Sequence, residues 1–175
     1  MRMTSPRHRL RLVRLPVEAM EALVANDLAT ASAAVGVSLT QYLVDEGWLW
    51  RIRLAQVVED PRSLDWIARA ALDADTDRVV GHVGFHGPPD ERGMVEVAYS
   101  VDPAVRRQGY GTAMLDAALG WAADSPEVSL VRASISPENE ASLATLRPFA
   151  FEPVGEQWDE EDGLELLFER PADEP

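Results

Sequence analysis

Residues 99–112 read Tyr99-Ser100-Val101-Asp102-Pro103-Ala104-Val105-Arg106-Arg107-Gln108-Gly109-Tyr110-Gly111-Thr112. A strand-like apolar run stops there, a turn with two arginines and two glycines follows, and a run with helical spacing begins. That order makes a cradle for phosphate. The first N–H groups of a helix have no partner inside it, and the helix dipole adds partial positive charge. Glycine lets the backbone come close to a bound anion. Arg106 and Arg107 add full charges in a chain whose formal net charge is −14. The residues expected around the anion are therefore Arg106, Arg107, Gln108, Gly109, Tyr110, Gly111 and Thr112. A P-loop needs a lysine, and the sequence contains none. A dinucleotide-binding fingerprint needs a third glycine and an earlier strand.

A second group with chemistry is Glu96. It interrupts the apolar run Met94-Val95-x-Val97-Ala98-Tyr99, and strand alternation turns it away from the face of Val95, Val97 and Tyr99. Near the centre of a sheet a carboxyl is partly desolvated, which moves its pKa toward neutrality and suits a general base. An alkyl amine is mostly protonated at pH 7, so such a base has work to do. A glutamate on the solvated face of a sheet fits the same pattern. Asn139 suits the N-cap of a short helix, with Ser142 in its first turn. His82 and His86 belong to one strand and share a face, but four residues along a strand is too far to converge on zinc. Either could line an acceptor cleft or act as a base, and a satisfied histidine is the simpler reading. No metal site is expected.

These groups must be held by elements that the periodicity predicts. Residues 1–7 and 171–175 read as loose tails. Residues 9–15 alternate Arg with Leu or Val, as a half-buried strand does. Pro16 suits a first helical position, and Met20, Leu23, Val24 and Leu28 follow at helical spacing until Gly36. Ser38-x-x-Gln41 reads as a capping box for a second helix, carrying Leu39, Leu43, Trp48, Trp50 and Ile52 with a break near Gly47. Asp60-Pro61 is a stop. Strands are predicted over 64–72 (with Trp66, Ala68 and Ala70 on one side), 79–85 and 94–101. Gly111, Met114, Leu115, Ala118, Leu119 and Ala122 form one helical face, ended by Ser125-Pro126. A strand over 130–136, a short helix holding Leu143 and Leu146, and strands over 151–158 and 164–170 complete the chain. The sum is an α/β (α+β) chain of seven strands and four helices.

Composition bounds the rest. The 175 residues are 46% hydrophobic, enough for one domain over 1–175 with a core of its own. The absence of cysteine excludes disulfides, thiolate metal sites and a cysteine nucleophile, and fits a cytoplasmic location. No apolar run is long enough to span a membrane, and the N-terminus lacks a signal core. The negative charge argues against nucleic acid and anionic membranes as partners and is compatible with cationic substrates. All 16 basic residues are arginine. Residues 1–14 carry Arg2, Arg7, Arg9, Arg11 and Arg14 with no acid, whereas the last two strands and their turn are strongly acidic.

Two motifs carry a resemblance. Glu96-Val97-Ala98-Tyr99-Ser100-Val101-Asp102-Pro103 leads into Arg106-x-x-Gly109-x-Gly111, and Asn139-Glu140-Ala141-Ser142 leads through an apolar helix to Ala150-Phe151. At this separation they resemble the GNAT N-acetyltransferase superfamily, most like its ribosomal-protein N-terminal acetyltransferase branch, over nearly the whole chain. The resemblance implies a GNAT fold, a mixed central sheet of about seven strands flanked by about four helices. It also implies acetyl-CoA as co-substrate without a metal, and a primary amine acceptor, either a small molecule or a peptide N-terminus. By the same resemblance residues 106–112 hold the pyrophosphate. The backbone of Tyr99, Ser100 and Val101 pairs with pantetheine, Asn139 touches the coenzyme, and Ser142 sits near its thiol. Glu96 is then the base. The region of Trp48 and Trp50 and the acidic turn 157–162 flank the acceptor cleft, and a homodimer is a modest expectation. The chain departs from the pattern in two places. Leu146 stands where many members carry a tyrosine that protonates the thiolate. Pro148 lies in the same helix, and Ala150 replaces a glycine. The departures keep a second reading open, an acyl-CoA-binding or interaction module with this fold and no catalysis.

Overall fold

A computed structural model describes residues 8–67 and 69–173; the expectations for residues 1–7, Ala68 and residues 174 and 175 lie outside them. The seven strands form one sheet in the order β1-β2-β3-β4-β5-β7-β6. They are β1 (Leu10–Arg14), β2 (Arg69–Asp73), β3 (Val79–Phe85), β4 (Met94–Val101), β5 (Leu130–Ile135), β6 (Glu152–Asp159) and β7 (Gly163–Pro171). Neighbours are antiparallel except β4 and β5. A parallel pair needs a long crossover, and the helix after the arginine–glycine turn, α5 here (Tyr110–Ala123), supplies it.

The strands are as the periodicity predicts, with one exception. Residues 64–72 do not form a continuous strand: Pro61–Asp65 is a 3-10 turn, and β2 begins at Arg69. Asp60 starts that turn by accepting from the N–H of Arg62 at 3.1 Å. The turn then crosses β3 at Gly84, where an added Cβ would collide with the Ile67 carbonyl. The C-terminal tail is also shorter than expected. Pro171 completes β7, and Ala172 is buried with its N–H bonded to the Ser129 carbonyl.

Among the described residues six α-helices form instead of four. The first predicted helix splits into α1 (Val17–Val24) and α2 (Leu28–Val35). Asn26 takes a left-handed φ of 59°, and the Asp27 carboxylate caps the new start by accepting from Thr30 N–H at 3.0 Å. Pro16 is the N-cap of α1 rather than its first turn. The second splits near Gly47 into α3 (Gln41–Asp45) and α4 (Gly47–Glu59). The capping box expected at Ser38 does not form: Thr40 is the N-cap, and the Leu39 N–H is taken by Ser32 Oγ. The last helix is α6 (Glu140–Leu146), which Pro148 ends in a 3-10 turn.

Each face of the sheet has its own core. On one side Met114, Leu115 and Ala118 of α5 lie fully buried against Val83, Phe85, Val95 and Val131. On the other, Met20, Leu23, Leu43 and Trp50 from α1, α3 and α4 cover Leu15, Ala70, Leu72 and Val79. Burying each of the valine, leucine, methionine and phenylalanine side chains among them is worth about 1.5–3 kcal/mol.

β4 and β5 pair only at Met94–Leu130, Val95–Val131 and Glu96–Arg132. Beyond these, residues 97–101 stay with β3 and residues 133–135 stay with β7, so the two strands part.

Candidate active site

The parting opens a groove of about 530 Å³ at the C-terminal end of β4. Its walls are Tyr99, Ser100 and Val101 of β4, Arg106 to Thr112 except Gln108, and Asn139, Ala141, Ser142 and Thr145 of α6 and its cap. Asp102 shapes the entry to the turn by accepting from Ala104 N–H at 2.8 Å. Arg107 adopts a left-handed φ of 60°, and Gly109, the N-cap of α5, has φ 91°. That cap makes no side-chain hydrogen bond, so the first-turn N–H groups of a 14-residue helix are left for a ligand. Two arginines, an uncapped helix start and a glycine at its N-cap fit a pyrophosphate. Gln108 is the exception among the expected residues: it does not line the groove, and its carbonyl is bonded to His8 at 2.7 Å.

A second cleft of about 490 Å³ adjoins the first, and Tyr99, Asn139 and Ser142 line both. Asn139 caps α6 by accepting from Ser142 N–H at 3.1 Å while its residue borders the passage. Glu96 lines the cleft with its side chain 19% exposed, and its Oε1 is 3.7 Å from His86 Nδ1. Desolvation pushes the His86 imidazole below its ordinary pKa, and Arg53 pushes the same way, while Glu96 and Glu165 oppose them. Position as well as charge is fixed from α4. Gln56 Nε2 and Arg53 Nη1 donate to the His86 carbonyl at 2.7 and 3.3 Å. Asp162 and Glu165 of the β6–β7 hairpin complete the rim. Leu146, 4% exposed, forms part of the wall.

Other candidates fall elsewhere. His82 is buried on the α3–α4 side, 3.0 Å from Glu46 Oε2 and edge-on to Trp50, so it does not meet His86. Trp50 is a core residue that donates to the Leu43 carbonyl at 2.6 Å, whereas Trp48 and Trp158 are exposed.

The sequence reading missed two features. The pairing of His86 with Glu96 was recoverable, because Phe85 pairs with Val97 and the next step along this antiparallel ladder brings residues 86 and 96 together. The hydroxyls of Tyr99 and Ser134 are buried without a hydrogen-bond partner, and both residues line the cleft. An unmet buried hydroxyl costs about 1–3 kcal/mol, so a ligand that met it would recover that energy. Nothing in local sequence signals it.

Residues 9–152 match the family model described as an acetyltransferase (GNAT) domain, and the chain belongs to that family. A segment of 77 residues is 34% identical to the uncharacterized N-acetyltransferase YjdG of Bacillus subtilis (strain 168). The match spans 44% of this chain and 46% of that protein, less than half of the relative's length. Among solved structures, the ribosomal-protein-S5-alanine acetyltransferase from Vibrio fischeri superposes with a TM-score of 0.62 at 16% identity, over 95% of this chain and 94% of its own. The ribosomal L7/L12 alpha-N-protein acetyltransferase RimL, solved with coenzyme A, superposes with a TM-score of 0.63 at 18% identity, over 94% and 95%. At such identities the likeness is one of fold.

Proposed function

We propose that this GNAT-family chain moves the acetyl group of acetyl-CoA directly onto the nitrogen of a cationic primary amine. The observation that carries the reading is that the phosphate-type groove adjoins the cleft of the Glu96–His86 pair, the two sharing Tyr99, Asn139 and Ser142 in their walls.

Acetyl-CoA would supply the activated acyl group as a thioester. Arg106, Arg107 and the free N–H groups from Gly109 to Thr112 would hold its pyrophosphate. Residues 97–101 of β4 have no strand partner on the β5 side, so their backbone can pair with the pantetheine arm. A backbone N–H there would also face the carbonyl oxygen on which negative charge grows. The ammonium of the acceptor gives one proton to Glu96, which His86 contacts. The neutral nitrogen then forms the C–N bond as the C–S bond breaks. The second nitrogen proton reaches the leaving sulfur through the Ser142 hydroxyl, which gives its own proton to the thiolate as it takes that one, and Glu96 passes the first proton to solvent.

The acceptor's charge is read from the cleft. Among the described residues lining it, Glu96, Asp162 and Glu165 are carboxylates and none is arginine. A panel containing a diamine, an aminoglycoside and a peptide with a free N-terminus tests the reading, with thiol release and product mass recorded. The reading requires thiol release with at least one cationic amine and a product heavier by one acetyl group. Acetyl-CoA binding with no thiol release from any amine would favour the non-catalytic module.

A further inference from the structure

The phosphate turn is not free-standing. Its Gln108 carbonyl accepts from Nε2 of His8, a residue one hundred positions earlier, at 2.7 Å. With a carbonyl as acceptor, that nitrogen must carry the hydrogen. The His8 ring lies stacked on Tyr110, the first residue of α5, with centroids 4.1 Å apart. His8 Nδ1 is 3.6 Å from Asp73 Oδ2, and the Tyr110 hydroxyl donates to the same oxygen at 2.7 Å. Asp73 is itself held at the end of β2. Its other oxygen accepts from the N–H groups of Asp75 and Thr76 at 3.0 and 3.1 Å. Tyr110 and Asp73 are buried, at 8% and 6% exposure.

We infer that His8, Tyr110 and Asp73 form a clamp that presets the Gly109 N–H for the coenzyme's pyrophosphate, with His8 as its positioning residue. The inference rests on the acetyl-CoA reading of the groove. In a planar trans peptide the C=O and the following N–H point in opposite directions. Holding the Gln108 carbonyl on His8 therefore turns the Gly109 N–H to the other side of that peptide, away from His8. Gly109 lines the groove and Gln108 does not, which is the arrangement such a peptide orientation requires. Gly109 has φ 91°, where a glycine peptide can flip with little steric cost, so the orientation needs an external anchor. The clamp supplies one from β1's approach and from β2, elements remote from the rest of the groove.

The test compares acetyl-CoA with acetyl-pantetheine, which has the thioester arm but no pyrophosphate. His8→Ala is expected to weaken acetyl-CoA about tenfold, as the loss of one orienting hydrogen bond implies, while KM for acetyl-pantetheine and the melting temperature hold. His8→Gln, whose amide nitrogen can stand in for Nε2, is expected to recover most of the loss. Tyr110→Phe, which keeps the ring stack, should show a smaller loss with the same split between the two donors. Unchanged acetyl-CoA affinity in His8→Ala, or an equal loss on both thioesters, would overturn the clamp. If the wild-type chain binds neither thioester, the underlying reading of the groove fails instead, and the two failures are told apart by that control.

Discussion

Glu96 and His86 face one another at adjoining ends of β4 and β3, with Oε1 3.7 Å from Nδ1. The pairing follows from the hairpin ladder, and the carbonyl of His86 is tied from α4 by Gln56 and Arg53. Two chemically matched groups are thus fixed at the mouth of the gap where β4 and β5 part.

Replacing the carboxylate tests its role first. Glu96→Gln is expected to lower kcat by about a hundredfold or more, the usual contribution of a positioned base, with acetyl-CoA affinity unchanged. Thiol release and calorimetry measure the two quantities separately. Unchanged turnover contradicts the assignment.

The pH profile tests the partner. His86 is held below the ordinary imidazole value of about 6.5, chiefly by desolvation. A protonated His86 would pair with the Glu96 carboxylate and weaken it as a base, so activity should persist as pH falls through ~6.5 and decline only at lower pH. Glu165 favours the protonated ring, so Glu165→Gln is expected to move the acidic limb further down. Stability has the matching sign. Between the folded and unfolded values the unfolded chain binds more protons, so this group makes stability fall as pH drops below about 6.5. An acidic limb that moves upward in Glu165→Gln would contradict the charge assignment.

The same glutamate and its neighbour bear on the acceptor. Asp162→Asn with Glu165→Gln is expected to raise KM for a dicationic amine several-fold while leaving acetyl-CoA binding alone. The difference from wild type should shrink as salt is raised, because partly exposed charges are screened. Initial rates at low and high ionic strength give the comparison.

Gly109 tests the turn. At φ 91° a Cβ costs about 1–2 kcal/mol of backbone strain. The nearest protein atom to that Cβ is His8 Cδ2 at 3.8 Å, an ordinary contact, so the strain falls on the turn that carries the N–H groups rather than on the packing. Gly109→Val is expected to abolish acetyl-CoA binding with only modest loss of thermal stability. Gly84→Ala should do the reverse. Its Cβ meets the backbone of Ile67, and a loss of about 1–3 kcal/mol should appear as a lower melting temperature.

Much of this arrangement was legible in the chain. The strands 79–85 and 94–101 are bounded in the sequence as they are in the structure, because long apolar runs between polar turns leave few alternatives. The arginine–glycine turn was legible because its signals are local: two arginines, two glycines and a helix start lie within six residues. The helix count was legible only in part. Gly47 announces the break between α3 and α4, whereas the break at Asn26 depends on one left-handed residue that is not a glycine, with no proline beside it. The strand predicted from residue 64 failed because Asp60 and Pro61 favour a tight turn whose apolar side chains still alternate. Contacts between distant positions were least legible. The bond from His8 to Gln108 spans a hundred residues, and the orphan hydroxyls of Tyr99 and Ser134 exist only once β4 and β5 have parted.

The central claim is that the groove beside β4 holds acetyl-CoA by its pyrophosphate and presents the thioester to Glu96. Calorimetric titration of the wild-type chain with acetyl-CoA, with acetyl-pantetheine as comparator, tests it most directly. The account predicts saturable, one-to-one binding of acetyl-CoA, at least about tenfold tighter than acetyl-pantetheine, since the charged pyrophosphate contacts are worth 1.4 kcal/mol or more. No heat of binding at ligand concentrations of about 1 mM, corresponding to an affinity weaker than roughly 4 kcal/mol, would contradict it.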